Sequence, residues 1–219
     1  MSTIAENILR VQEQIADAAQ QAGRRPEEIT LVAVTKKKPA SAIVEALAAG
    51  ITDVGENYVQ EAAEKRASIT NGRWHLMGHL QSNKAKLAVS LFDLIQSVDS
   101  VKLAAEIGKQ SAEKPQEILL QVHLGDEETK TGFAPNITLD VAAEIAAIIN
   151  VSLCGLMGIA PNGVDPRPYF QQLKQLFDQL PPENRQILSM GMSGDFVAAI
   201  QEGATMVRVG TAIFGARDS

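Results

Sequence analysis

The chain has 219 residues, 45% of them apolar and 21% charged, an ordinary globular balance that excludes disorder as its general state. Twenty basic against 26 acidic residues, a net charge of −6, disfavour a protein built to sit on a phosphate backbone, so no nucleic-acid partner is expected. Apolar runs such as Ile29 to Thr35 and Gly203 to Val209 fall short of the roughly eighteen residues a membrane helix needs. The first six residues lack a basic region leading into an apolar core, so the cytoplasm is the expected location.

From the N-terminus, apolar positions 4, 8, 11, 15, 18, 19 and 22 keep a helical rhythm, predicting a leading helix at about 3–22 that stops at Gly23. Ile29 to Thr35 is rich in branched residues and reads as a buried strand. Pro39 then opens a helix through Ala49, ended by Gly50. Further strands are predicted at Asp53 to Gly55, Trp74 to Gly78, Leu94 to Val98, Ile118 to Leu124, Val151 to Ile159, Gln186 to Met190 and Thr205 to Val209. Between them fall helices at Val59 to Ser68, Ser82 to Val89, Val101 to Gln110, Leu139 to Ile149, Tyr169 to Gln179 and Phe196 to Gln201. Ser82 or Asn83 is expected to cap the helix that follows Gln81.

Eight strands alternating with helices in about 200 residues is the arithmetic of a single-domain (β/α)8 barrel, with a doubly wound open sheet as the runner-up. No linker or composition shift divides residues 1–219. Active sites of such barrels lie at the C-terminal ends of the strands, so those are the positions to read.

Thr35-Lys36-Lys37-Lys38 follows the first strand. Three solvated lysines before a helix would be the plain reading. Strand alternation singles out Lys36, because it shares a face with Val32 and Val34 and points inward if they do. Neighbouring cations favour a neutral, nucleophilic amine, which a Schiff-base lysine requires. Ser189-Met190-Gly191-Met192-Ser193-Gly194-Asp195 ends the seventh strand, and Arg208-Val209-Gly210-Thr211-Ala212-Ile213-Phe214-Gly215 ends the eighth. Glycines there admit a ligand close to backbone amides, Ser193 and Thr211 add hydroxyls, and helix starts near Asp195 and Thr211 would present N–H groups to an anion. Two ordinary tight turns are the alternative. Arg208 stands in an otherwise apolar strand, where it either pairs with a core carboxylate or donates to a ligand at the mouth.

His75, His79, His123 and Cys154 lack the spacing of a structural zinc site, and the strand-to-loop break at Gly78 should part His75 from His79. His75, Met77 and Met157 read as barrel lining. Lys130, in the polar loop after the fifth strand, lies at the same end as Lys36 and is either a second Schiff-base lysine or simply solvated.

The motifs Ala33-Val34-Thr35-Lys36, Gly55-Glu56-Asn57-Tyr58-Val59-Gln60-Glu61, Trp74-His75-Leu76-Met77-Gly78-His79-Leu80-Gln81-Ser82-Asn83-Lys84 and the two glycine-rich strand ends above resemble the YggS/PROSC family of pyridoxal 5′-phosphate (PLP) homeostasis proteins. The resemblance runs in order from about residue 4 to residue 218. It implies a barrel similar to the N-terminal domain of alanine racemase, of fold type III, with PLP held as an internal aldimine on Lys36. It further implies Asn57 near the ring, Ser193, Gly210 and Thr211 at the phosphate, and Arg208 at the pyridine nitrogen. Lys37 departs from the small polar residue associated with its position.

Two functional classes remain: a PLP-dependent amino-acid racemase or decarboxylase, and a PLP-binding homeostasis protein without turnover. An arginine at the pyridine nitrogen disfavours a second positive charge there, which weakens the ring as an electron sink. Racemisation also needs a second acid/base group, supplied in racemases of this fold by an additional β domain; the eight units use up this chain, and nothing marks Tyr58 as a substitute. The non-catalytic reading is therefore expected, with free PLP as ligand and apo PLP-enzymes or a regulatory protein as candidate partners. A phosphosugar enzyme would use the same phosphate cup and leave Lys36 and Arg208 unexplained together.

Overall fold

The computed structural model describes residues 3–111, 113–125 and 131–215. Eight parallel strands close into a barrel in sequence order, with β1 (Thr30–Val34) pairing both β2 (Asp53–Glu56) and β8 (Met206–Val209). The others are β3 (Arg73–Leu76), β4 (Leu94–Val98), β5 (Gln116–Val122), β6 (Val151–Gly158) and β7 (Ile187–Ser189). Helices α1 (Ile4–Gln21), α2 (Ala40–Ala48), α3 (Val59–Arg66), α4 (Ala85–Leu91), α5 (Val101–Gln110), α6 (Thr138–Ala146), α7 (Arg167–Gln179), α8 (Phe196–Gln201) and α9 (Thr211–Phe214) surround it. The expected architecture is the one observed. Among the described residues no helix is long and apolar enough to cross a membrane.

The strands are short and buried on both faces, which suits the branched runs that encode them. Their outward side chains and the inner faces of the helices form the main apolar core, which holds Ile43, Trp74, Leu103, Ile107 and Phe170. A smaller cluster of Val32, Leu94, Leu119, Cys154, Met157 and Met206 lies apart from it, and alternation places it inside the barrel. Helix α1 starts at a Thr3/Glu6 capping box and packs against α2, α8 and α9. Asn7 Nδ2 donates to Ile213 O at 2.8 Å and Arg24 Nη1 to Ala204 O at 2.7 Å. The leading helix thus covers the side of the barrel that the four-residue α9 is too short to cover.

Local details depart from expectation in several places: α6 ends at Ala146 and not at Ile149, and β5 ends at Val122 and not at Leu124. Pro39 occupies the position before α2 instead of its first turn. Neither Ser82 nor Asn83 caps α4: with Lys84 they form a 3-10 turn that leads into the helix, with no side-chain cap.

Candidate functional site

A cavity of about 270 Å³ is lined by Lys36, Asn57, Ser193, Arg208, Gly210 and Thr211, the six residues singled out in the sequence. Val34, Met77, Met157, Ile159, Met192 and Gly194 complete its wall. These side chains come from the C-terminal ends of β1, β2, β3, β6, β7 and β8 and the loops that follow. A larger groove, about 720 Å³, runs beside α4 and the start of β5 and includes none of the six.

Alternation along β1 explains the placement of Lys36: Val32 is inside the barrel, Val34 and Lys36 line the cavity, and Thr35 between them is fully buried. Both neighbours of Lys36 are pinned. Thr35 O accepts from Lys65 Nζ at 2.8 Å, and Thr35 Oγ1 donates to Glu56 Oε1 at 2.6 Å. Lys37 has a positive φ of 59°, uncommon for a residue with a side chain, and its N–H donates to Glu61 Oε1 at 2.5 Å. Lys65 Nζ also reaches Glu56 Oε1 at 2.6 Å and Glu61 Oε1 at 2.7 Å, so its three donors tie β1, β2 and α3 together. Burial pushes the Glu56 carboxyl above its ordinary range, opposed by the bonds from Lys65 and Thr35. Glu56 Oε2 has no hydrogen-bond partner among the described residues.

Asn57 follows β2 and lies against Gly78. A Cβ on Gly78 would stand 2.1 Å from Asn57 O, so only glycine lets the two loops approach this closely. On the far side of the mouth, Gly191 has a φ of +91°, and a Cβ there would meet Ala199 at 2.5 Å. That turn carries Ser193 to the cavity, where its Oγ accepts from both Gly210 N and Ala212 N at 3.3 Å. Both amides and the Thr211 hydroxyl thus converge at this end of the cavity, the amides engaged on the serine oxygen. The helices behind it are only six and four residues long, so individual N–H groups, more than helix dipoles, are its resource. Asp195 does not cap α8; its Oδ1 accepts from Met192 N at 2.6 Å.

Arg208 is 4% exposed and points inward. It does not bond a core carboxylate: Nη1 donates to Ser189 Oγ at 2.8 Å and Nη2 to Gly158 O at 3.0 Å. Burial pulls its pKa down to about 10, with the charge of Asp195 opposing, so it remains a cation at neutral pH. His75 and His79 part company as expected. His75 is buried between Asp53 and Gln96, while His79, on the exposed side of Gly78, pairs with Asp99 at 2.9 Å. Among the described residues no group of three His, Cys, Asp or Glu side chains could hold a metal ion. Lys130 lies outside the described residues.

Sequence reasoning missed Glu56, Glu61 and Lys65 as the clamp on the Lys36 turn. The Glu61–Lys65 spacing of four on a helix was a visible signal, but the reach of Lys65 back to Thr35 and Glu56 crosses between elements and was not.

A closed parallel barrel with a lysine at the first strand's end and glycine-rich turns after the last two strands fits the alanine racemase N-terminal class of barrels. The family described as "Alanine racemase, N-terminal domain" matches residues 4–218. The "Pyridoxal phosphate homeostasis protein" of Pasteurella multocida is 43% identical over 229 residues, covering 99% of this chain and 98% of that one. Its namesake from Escherichia coli K12 is 42% identical over 230 residues, covering 100% and 98%. The chain belongs to the pyridoxal phosphate homeostasis protein family. Among solved structures, PipY of Synechococcus elongatus without PLP superposes with a TM-score of 0.87 at 39% identity, covering 97% of this chain and 100% of that one. PipY with PLP bound gives 0.79 at 40% identity, covering 92% and 100%. Alanine racemase from E. faecalis shares the fold, with a TM-score of 0.69 at 19% identity over 95% of this chain and 59% of its own.

Proposed function

We propose that this protein binds PLP at the barrel mouth and serves intracellular PLP homeostasis without turning over amino acids. The observation that carries the reading is the make-up of the cavity. Among the described residues it combines one lysine, one buried arginine and converging amides, and its lining contains no His, Asp, Glu, Cys or Tyr. The donors fit the group: the Ser193 and Thr211 hydroxyls, with Gly210 N and Ala212 N once Ser193 Oγ releases them, suit a phosphate, and Arg208 suits the ring nitrogen. Lys36 would hold the aldehyde carbon, and Asn57 would border the ring. The relatives are named for PLP homeostasis, and PipY has been solved with PLP bound. In this reading residues 1–219 act as one cytoplasmic PLP-binding domain. Its candidate partners are apo PLP-enzymes or a regulatory protein.

PLP supplies an electron sink when its ring nitrogen is protonated. Arg208, cationic and buried, would oppose a proton on a ring nitrogen held beside it. Among the described lining residues Lys36 is the single candidate for moving a proton, whereas racemisation needs two such groups on opposite ring faces. The cavity is thus equipped to hold PLP and poorly equipped to use it.

The test is to load purified protein with PLP, reduce with borohydride and map the pyridoxyl group. It is expected on Lys36, and modification solely at Lys37, Lys38 or Lys130 would overturn the assignment. The same loaded preparation is expected to give no racemisation, decarboxylation or transamination of common amino acids. Turnover near about one per second that vanishes in Lys36→Ala would establish the enzyme reading instead.

A further inference from the structure

A continuous string of polar side chains crosses the interior of the barrel beneath the proposed PLP site. Arg208 Nη1 donates to Ser189 Oγ at 2.8 Å, and Ser189 Oγ is 2.6 Å from Gln96 Oε1. Gln96 Nε2 is 3.0 Å from His75 Nδ1, and His75 Nε2 is 2.8 Å from Asp53 Oδ1. Five residues from five strands take part, and Ser189, Gln96 and His75 have no solvent exposure at all. Asp53 opens β2 and borders a groove at the N-terminal end of the barrel; Arg208 lines the cavity at the other end. The small cluster of Val32, Leu94, Leu119, Cys154, Met157 and Met206 occupies the rest of the interior.

The ends of the string dictate its sense. A guanidinium can only donate, and an ionised carboxylate can only accept. Every link between them must therefore accept from the Arg208 side and donate toward Asp53. The Ser189 hydroxyl gives its hydrogen to Gln96 Oε1, and the Gln96 amide gives one of its hydrogens to His75 Nδ1. His75 must then carry its proton on Nε2, facing Asp53. Burial by itself would push the Asp53 carboxyl up, but the bonds from His75 and Thr52 outweigh it and hold the group ionised. In an apolar surround a link left unmade is costly, so the string defines one arrangement of its members.

We propose that Asp53, His75, Gln96 and Ser189 are positioning residues that set the aim of Arg208 at the pyridine nitrogen, and so make the site selective for a ligand with a ring-nitrogen acceptor. The proposal rests on the PLP reading of the cavity. Ser189 holds one end of the guanidinium and Gly158 O the other at 3.0 Å, so the fork can neither roll nor retreat while both bonds stand. Without Ser189 the fork pivots on Gly158 O alone. None of the other three touches the cavity wall, so each acts through Arg208.

The experiment compares binding of PLP with that of 1-deazapyridoxal 5′-phosphate, which keeps the aldehyde and phosphate and lacks the ring nitrogen. Wild type should prefer PLP by about ten- to a hundredfold, the worth of one charge-assisted hydrogen bond. Ser189→Ala should cut that preference about tenfold and Gln96→Met about threefold, because both uncouple Arg208 and leave the phosphate cup alone. A merely structural role would weaken both ligands in parallel; a preference kept within about twofold of wild type in both variants overturns the proposal. Borohydride mapping runs alongside, and trapping away from Lys36 overturns the site reading and the proposal with it. A measurement on the unaltered protein covers variants that fail to fold. Nitrogen-15 shifts of the His75 ring should show Nε2 protonated and Nδ1 bare at neutral pH. The opposite tautomer, or a doubly protonated ring, overturns the proposal.

Discussion

Between the sheet and the helices the packing is mostly apolar, the buried clamp of Lys65, Glu56 and Thr35 apart: Ile8, Ile43, Trp74, Leu103, Ile107 and Phe170 are buried there to within 1% of full burial. Inside the barrel, six clustered apolar side chains share the space with His75, Gln96, Ser189 and Arg208. The two regions are equally inaccessible to water and differ in what they can tolerate. In the outer layer, away from the Lys65 clamp, any apolar side chain of suitable volume satisfies the packing. In the interior each polar atom needs a partner of the right sense, so a substitution there changes direction as well as volume. The division implies that the outer layer supplies most of the stability, while the interior and mouth determine what is bound.

The largest expected effect belongs to the mouth. If the amides and hydroxyls of the cup dominate affinity, wild type should bind PLP a few decades more tightly than pyridoxal, as several charge-assisted bonds of about 1.5–3 kcal/mol each imply. Thr211→Val should narrow that gap about ten- to a hundredfold with the melting temperature held. Equal binding of the two ligands by wild type would show the cup to be a pair of turns and would break the contrast between the regions.

The converse variant lies in the outer layer. Leu103 is 1% exposed on the inner face of α5, and Leu103→Ala should lower unfolding free energy by about 2–5 kcal/mol in a denaturant titration. The ratio of PLP to pyridoxal affinity should stay at the wild-type value. A changed ratio would mean that the two regions are coupled.

A smaller and pH-dependent effect is expected at the base of the interior string. The Asp53 carboxyl lies below its ordinary value in the fold because the bonds from His75 and Thr52 outweigh burial. Between its folded and unfolded pKa values the unfolded chain binds the extra proton, so stability rises with pH there. The contribution is complete above about pH 4 and drains away as the pH falls below it. Asp53→Asn should therefore be less stable than wild type near pH 6, and the difference should shrink on acidification in urea titrations at stepped pH. A difference that grows toward low pH would contradict the sign.

How far the sequence could be read depended on the range of the interactions involved. Strand alternation carried Lys36 to the cavity wall, because a period of two is a local property of a short strand. The glycine-rich ends of β7 and β8 likewise placed Ser193, Gly210 and Thr211 on the same cavity wall. The end of α6 was less legible: the sequence predicted a helix from Leu139 to Ile149, and it stops at Ala146, since the ends of short helices depend on how neighbouring loops pack. For Arg208 the sequence left open a core carboxylate or a ligand; the bonds to Ser189 and Gly158 O come from strands whose spacing along the chain carries no such signal.

Order, type and number of the β/α units, and the strand ends where function would lie, were determined by the sequence alone. Hydrophobic period and turn residues act over a few positions, and parallel strands joined by helices have few ways to close. Tertiary structure alone decided which polar groups meet: Lys65 with Thr35 and Glu56, Gln96 with His75 and Ser189, the amides of Gly210 and Ala212 on one serine oxygen. Hydrogen bonds depend on fractions of an ångström and on direction, and the closure of the barrel brings those partners to one place.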